Sequence, residues 1–63
     1  MKVYDCFAGC LVDDIVLHYY VKAKNLKSAW LKGYIYFNKC SVADTGDIDC
    51  KRVKDYTKIT KIN

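Results

Sequence analysis

Residues 15–24, IVLHYYVKAK, carry the pattern that most constrains the fold, because apolar and mixed positions alternate without a break. A period of two residues is that of a β-strand with one buried face, and the segment is rich in the β-branched and aromatic residues that strands favour. The apolar side consists of Ile15, Leu17, Tyr19, Val21 and Ala23. The mixed side consists of Val16, His18, Tyr20, Lys22 and Lys24.

The preceding segment, residues 2–12, also alternates, and Asp13 and Asp14 between the two segments are typical of a turn. The two segments together predict a β-hairpin. Two arrangements of the first strand stay open: Asp5 favours burial of the even-numbered residues, whereas the larger apolar side chains favour burial of the odd-numbered ones. Gly9, in the middle of this strand, predicts a bulge.

A helix is predicted for residues 26–40, since apolar residues recur there with a helical period and Asn25 is a suitable N-cap. The side predicted to pack on the sheet consists of Leu26, Ala29, Trp30, Gly33, Phe37 and Cys40. Ala29 and Gly33 on this side are small, which predicts a close approach of the helix to the sheet. Gly33 costs up to about 1 kcal/mol of helix propensity, and close packing would compensate for that cost.

Turn residues at 44–47 precede a third strand predicted for residues 48–54. The residues after it extend that strand, pair as a fourth, edge strand (residues 57–63), or fray. A chain of 63 residues has room for one core only. The sequence therefore predicts a single α+β domain over residues 1–63, with the element order ββαβ. Its sheet has three strands, or four with the last residues, is mainly antiparallel, and carries one helix on one face.

With one helix in the chain, the second face of the sheet is expected to be uncovered. Aromatic and basic residues alternate on that face, a combination that suits stacking on unpaired nucleotides or a protein interface, including a homodimer. The residues expected there are Phe7, His18, Tyr20 and Lys22, with Lys51 or Arg52 from the third strand.

A second candidate surface lies on the helix. Leu31 and Ile35 are one turn apart and point away from the predicted packed side, and Lys27, Lys32 and Lys39 flank them. An apolar pair among lysines favours docking on an acidic protein partner.

Catalysis and metal binding are not predicted. His18 is the only histidine, and a general base also requires an orienting carboxylate and a nucleophile in reach. Cys6 and Cys10 are four residues apart and lack the paired spacing of zinc sites, which leaves a zinc-stabilised module as the third hypothesis. We expect free cysteines in the core and no cofactor.

Charge and targeting features bear on the partner and the location. The whole net charge of +4 lies in residues 51–63, which disfavours a mimic of DNA and permits a nucleic-acid partner. Residues 1–12 do not have the pattern of a secretory signal, and no apolar run reaches the roughly 18 residues that cross a bilayer. These features predict a cytoplasmic protein with reduced cysteines and no membrane partner.

The Lys-x-Tyr start, the hairpin, and the run Val21–Asn25 leading into a helix with Ala29 and Gly33 resemble very short ββαβ proteins of phages and prophages. Anti-defence proteins, including anti-CRISPR proteins, are of this size and style, and the richness in Lys, Asn, Ile, Tyr and Asp is typical of AT-rich genomes. The resemblance implies a non-catalytic protein that binds a host protein, or a protein–nucleic-acid complex, stoichiometrically. A small nucleic-acid-binding module is the alternative.

Overall fold

The computed structural model describes all 63 residues and confirms the predicted α+β domain. Its elements are β1 (Lys2–Gly9), β2 (Val16–Ala23), α1 (Leu26–Asn38), one turn of 3₁₀ helix (Thr45–Asp47) and β3 (Asp49–Val53). The three strands form one antiparallel sheet in the order β2-β1-β3. Each strand and the helix end within a few residues of the predicted bounds.

The register of the sheet determines which side of β1 faces the helix. Cys6 lies opposite Tyr19 of β2 and Cys50 of β3, at the centre of the sheet. The core consists of Tyr4, Cys6, Ala8, Val21, Ala23, Ala29, Phe37, Ala43 and Cys50. The even-numbered residues of β1 are therefore the ones that pack under α1. The predicted bulge at Gly9 is wrong, because the β1–β2 pairing runs unbroken from Lys2 to Gly9.

Helix α1 begins as predicted, with the Asn25 side chain accepting a hydrogen bond of 2.9 Å from the Ser28 N–H. Its buried residues are Ala29, Gly33 and Phe37. The packed side is narrower than predicted, because the sheet has only three strands and α1 lies close over the central one. Leu26 and Trp30, expected in the core, are 51% and 38% exposed.

The opposite face of the sheet is partly covered, and the expectation that nothing covers it is wrong. Val3 and Asp5 lie on that face and are only 3% and 5% exposed. His18 contacts Asp5 on this face, and the loops at 10–15 and 39–48 lie at the far end of β1, where Cys10 bridges to Ala43. We infer that residues 54–63 cover Val3.

Residues 54–63, which we call the C-terminal segment, run from one edge of the sheet to the other. The segment leaves β3 at one edge of the sheet and ends beside β2 at the other edge. There the Asn63 N–H donates to the Tyr20 carbonyl at 2.8 Å, and the Lys22 N–H donates to an Asn63 main-chain oxygen at 2.9 Å. The last residue is thus paired with an edge strand, although the segment before it forms no regular strand.

Candidate functional site

His18 and Asp5 form an ion-pair geometry on the face opposite the helix. Asp5 lies directly across from Tyr20, which makes His18 its diagonal neighbour on the same face. The His18 Nδ1 atom is 2.9 Å from one oxygen of the Asp5 carboxylate and 3.1 Å from the other. The carboxylate is buried, whereas 44% of the His18 side chain is exposed. Asp5 therefore orients the imidazole with Nδ1 inward and Nε2 outward.

This pair has the geometry of a positioned base, and no hydroxyl or thiol is hydrogen-bonded to it. The thiol of Cys6, next to Asp5 in β1, lies on the opposite face of the sheet under α1. Catalysis in serine- or cysteine-dependent hydrolases requires the nucleophile within hydrogen-bond reach of the base. What the arrangement does offer is a fixed ring with one outward nitrogen that can donate or accept a hydrogen bond.

A row of rings extends from this histidine along the sheet. The ring centroids of Phe7 and His18 are 6.1 Å apart, and those of His18 and Tyr20 are 6.0 Å apart with planes 7° from parallel. These are three of the residues that the sequence singled out on this face. Lys22 and Lys51 share the face and are exposed. Arg52 does not: it lies opposite Tyr4, on the side of β3 that faces the helix layer.

An open groove of about 420 Å³ lies at the outer edge of β2, between that edge, α1 and the C-terminal segment. We call it the edge groove; it is lined by His18, Tyr19, Tyr20, Tyr36, Lys58, Ile59, Thr60, Lys61 and Asn63. Two tyrosines connect its wall to the core, since the rings of Tyr19 and Tyr36 stack at 3.9 Å and 4° from parallel. No acidic side chain lines the groove.

Helix α1 carries four large apolar residues outside its buried row, on the side facing away from the sheet and on the flank beside Ile48. We call this set the outer helix surface: Trp30, Leu31, Tyr34 and Ile35, which are 38%, 48%, 38% and 56% exposed. The rings of Trp30 and Tyr34 stack on each other at 5.2 Å and 12°. The predicted pair Leu31 and Ile35 thus forms half of a wider surface. Lys32 is turned from it, because its Nζ atom donates to the Lys22 carbonyl at 2.7 Å.

No three of the four cysteines are grouped together. The Sγ atoms of Cys6 and Cys50 are 3.5 Å apart in the core, and Cys10 and Cys40 stand apart from them as free thiols. No three metal-ligating side chains come together anywhere in the chain. Burial is the main cause that raises the pKa of the Cys6 thiol to about 12, and burial also raises the pKa of Cys50. Both are therefore protonated thiols within the core.

Sequence reasoning missed two features of these surfaces. Trp30 was assigned to the packed side of the helix, although its helical angle places it at the edge of that side. Lys58, Lys61 and Asn63 were not assigned to any site, because no local pattern shows that the C-terminal segment returns to β2. The only available signal was the basic charge of residues 51–63.

The chain matches no protein-family model, and comparison with curated proteins and with solved structures found no match. No helix of the structure has the length and apolar character needed to cross a membrane. The function is therefore inferred from the surfaces themselves.

Proposed function

We propose that this chain is a non-catalytic binding protein that docks through its outer helix surface on an apolar groove with an acidic rim in a second protein. One observation carries the proposal. Trp30, Leu31, Tyr34 and Ile35 are neighbours on α1 outside its buried row, and each of them is at least 38% exposed.

Helix α1 is apolar on more of its circumference than its own fold uses. Its buried side is the narrow row Ala29, Gly33 and Phe37, and a helix that packs on a single sheet ordinarily keeps its other side polar. Exposed apolar patches of this kind mark interaction sites in small proteins. Trp and Tyr are also the residues that contribute most to protein interfaces.

The charges around the surface favour an acidic partner. Residues 20–40 contain five lysines and no acidic residue. Lys27 lies in the first turn of α1, where the helix dipole disfavours a positive charge, so helix stability does not account for it. A second copy of the chain is a poor occupant, because a contact between two outer helix surfaces brings Lys27 and Lys39 of each copy together.

The surface is also preorganised for binding. Stacking of Trp30 on Tyr34 restricts both rings before a partner arrives, and the Trp30 Nε1 atom lies 3.5 Å from the Ile48 carbonyl oxygen. Side chains that are already ordered lose less entropy on association. A stacked aromatic pair beside Leu31 and Ile35 suits insertion into a preformed groove.

The biological setting stays a proposal that rests on the resemblance to short phage ββαβ proteins. In that setting the partner is a host protein, or a defence complex, in the host cytoplasm, and the chain inhibits it by occupying its acidic groove. Two features support stoichiometric binding: the fold is small, and the hydrogen-bond partner of His18 is the carboxylate of Asp5, which is not a hydroxyl or thiol nucleophile. The competing hypothesis of nucleic-acid binding by the whole sheet face has less surface available, because the C-terminal segment covers part of that face.

Photo-crosslinking tests the proposal. A photoreactive phenylalanine analogue at position 35 reports on the outer helix surface, and the same analogue at position 12 is the control, since Val12 is 76% exposed on the β1–β2 loop. We expect position 35 to capture a discrete protein in cell lysate. The capture should be lost when the crosslinking chain also carries the Leu31→Asp substitution. Capture from position 12 alone, or only of a second copy from position 35, contradicts the proposal.

A further inference from the structure

We infer that the edge groove is a binding site for a nucleotide unit, meaning an aromatic base that carries a phosphate. The site is separate from the outer helix surface. It lies at the opposite edge of the sheet from β3 and is built by β2, Tyr36 of α1 and the C-terminal segment.

The size of the groove suits such a ligand. Its volume of about 420 Å³ lies within the range of small-molecule sites, about 300–1,000 Å³. The groove is formed where the C-terminal segment meets β2, and the paired hydrogen bonds between Asn63 and the Tyr20 and Lys22 backbone hold that wall in place. It is therefore a formed depression between ordered elements.

The charge of the groove favours a phosphate. Lys58 and Lys61 contribute two ammonium groups to one wall, and the lining contains no acidic side chain. The Asp5 carboxylate lies outside the lining, is buried, and is bonded to the Nδ1 atom of His18. That bond leaves the His18 Nε2 atom outward, where it can donate to a phosphate oxygen together with the lysines.

The aromatic walls favour a base. His18 and Tyr20 are among the lining residues, and their ring planes are only 7° from parallel. Tyr19 covers one ring face of Tyr36, while 44% of Tyr36 remains exposed. Bases stack on tyrosine and histidine rings, and stacking tolerates every base. A phosphate alone would leave these rings unused, and a neutral aromatic ligand would leave the lysines unused.

The test is an NMR titration of the labelled chain with adenosine 5′-monophosphate, adenosine and inorganic phosphate in parallel. We expect the backbone amides of Tyr20, Lys61 and Asn63 to shift with the monophosphate. Its affinity should exceed that of either adenosine or inorganic phosphate by about fivefold or more, because the rings and the cations act on one molecule. A monophosphate that binds no more tightly than inorganic phosphate overturns the inference.

Two variants of equal charge provide the control. Lys58→Gln/Lys61→Gln removes the groove cations, and Lys24→Gln/Lys27→Gln lowers the net charge by the same two units elsewhere. All four lysines are exposed, so the amide spectra of both variants should keep the native dispersion. We expect the groove variant alone to lose affinity, by about fivefold. Equal losses in both variants show binding by net charge and overturn the site.

A final arm distinguishes a free nucleotide from a nucleic-acid strand. A 5′-phosphorylated oligothymidylate that binds no more tightly than a single thymidine monophosphate identifies the free nucleotide as the ligand. Affinity that rises with strand length identifies the end of a strand, and the groove then holds its first unit.

Discussion

Gly33 of α1 lies so close to β1 that a Cβ atom at this position would stand 2.6 Å from the Cys6 Cβ atom and 2.8 Å from its Sγ atom. Both distances are shorter than packed carbon or sulfur atoms allow. The glycine is thus what lets the helix rest on the central strand, and its helical backbone has no positive φ that would require it for another reason.

The first prediction is that Gly33→Ala destabilises the fold. Alanine gains up to about 1 kcal/mol of helix propensity, but the added carbon forces the helix from the sheet at a cost of about 1–3 kcal/mol, with the core contacts of Phe37 also lost. Urea denaturation should show a lower free energy of unfolding. Gly46→Ala is the control, because its added Cβ meets only an Asp44 oxygen at 3.5 Å. A stabilised Gly33→Ala variant would show that the close approach is not required.

The spacing of small residues in the helix predicts this contact from sequence, because the packed side of a helix follows from local periodicity. The burial of Asp5 does not follow in that way. A carboxylate in an alternating strand is expected in water, and its pairing with His18 depends on the register between β1 and β2.

The edge groove is even harder to predict from local sequence patterns. Residues 54–63, KDYTKITKIN, contain no clear period, and their course is decided by backbone hydrogen bonds to an edge strand. Two residues of the outer helix surface, Leu31 and Ile35, were predicted, because they lie opposite the packed side of the helix. The exposure of Trp30 was not predicted, because it depends on the small number of strands beneath the helix.

The second prediction concerns the pair formed by the buried Asp5 and the exposed His18. Loss of the imidazole leaves a buried carboxylate without its partner, so a double-mutant cycle of Asp5→Asn and His18→Gln should give a coupling free energy of about 1–2 kcal/mol at neutral pH. Urea denaturation of the four proteins measures it. The same cycle with Asp13→Asn is the control and should couple by less than about 0.5 kcal/mol, because Asp13 bonds only to the Asp14 N–H. Equal coupling in both cycles would mean that the contact contributes nothing specific.

The third prediction concerns alkaline pH. Burial raises the pKa of Cys6 from its ordinary value of 9.0 to about 12 in the folded chain. Above pH 9 the unfolded chain therefore loses this proton first, and the free energy of unfolding decreases as the pH rises from 9 towards 12. Below pH 9 both states keep the proton and the contribution is complete.

Cys6→Ala isolates this effect from the lysines and tyrosines that also titrate in alkaline solution. We expect the free energy of unfolding, measured in urea with a reductant, to fall more steeply with pH in the wild type than in Cys6→Ala. Parallel slopes for the two proteins would contradict a buried, protonated Cys6.

The fourth prediction concerns the C-terminal segment. Removal of residues 57–63 is expected to uncover Val3 on the face opposite the helix, and it removes the acceptor of the Lys22 N–H. We expect a loss of about 1–3 kcal/mol in the free energy of unfolding, since the burial of Val3 alone is of that order. Hydrogen exchange of the Lys22 amide should accelerate, while amides paired between β1 and β2 keep their protection. An unchanged Lys22 amide would show that the segment does not rest on β2.

The central claim is that the outer helix surface binds a protein partner, and the most direct measurement compares two paired variants for affinity to the partner that position 35 captures. Leu31→Asp/Ile35→Asp places two carboxylates on that surface, and Leu11→Asp/Val12→Asp makes the same change at residues 64% and 76% exposed on the β1–β2 loop. Calorimetry should show a loss of about thirtyfold or more for the helix pair, as expected at an interface centre, and less than about threefold for the loop pair. Full affinity in the helix pair, or the same loss in both, would contradict the claim.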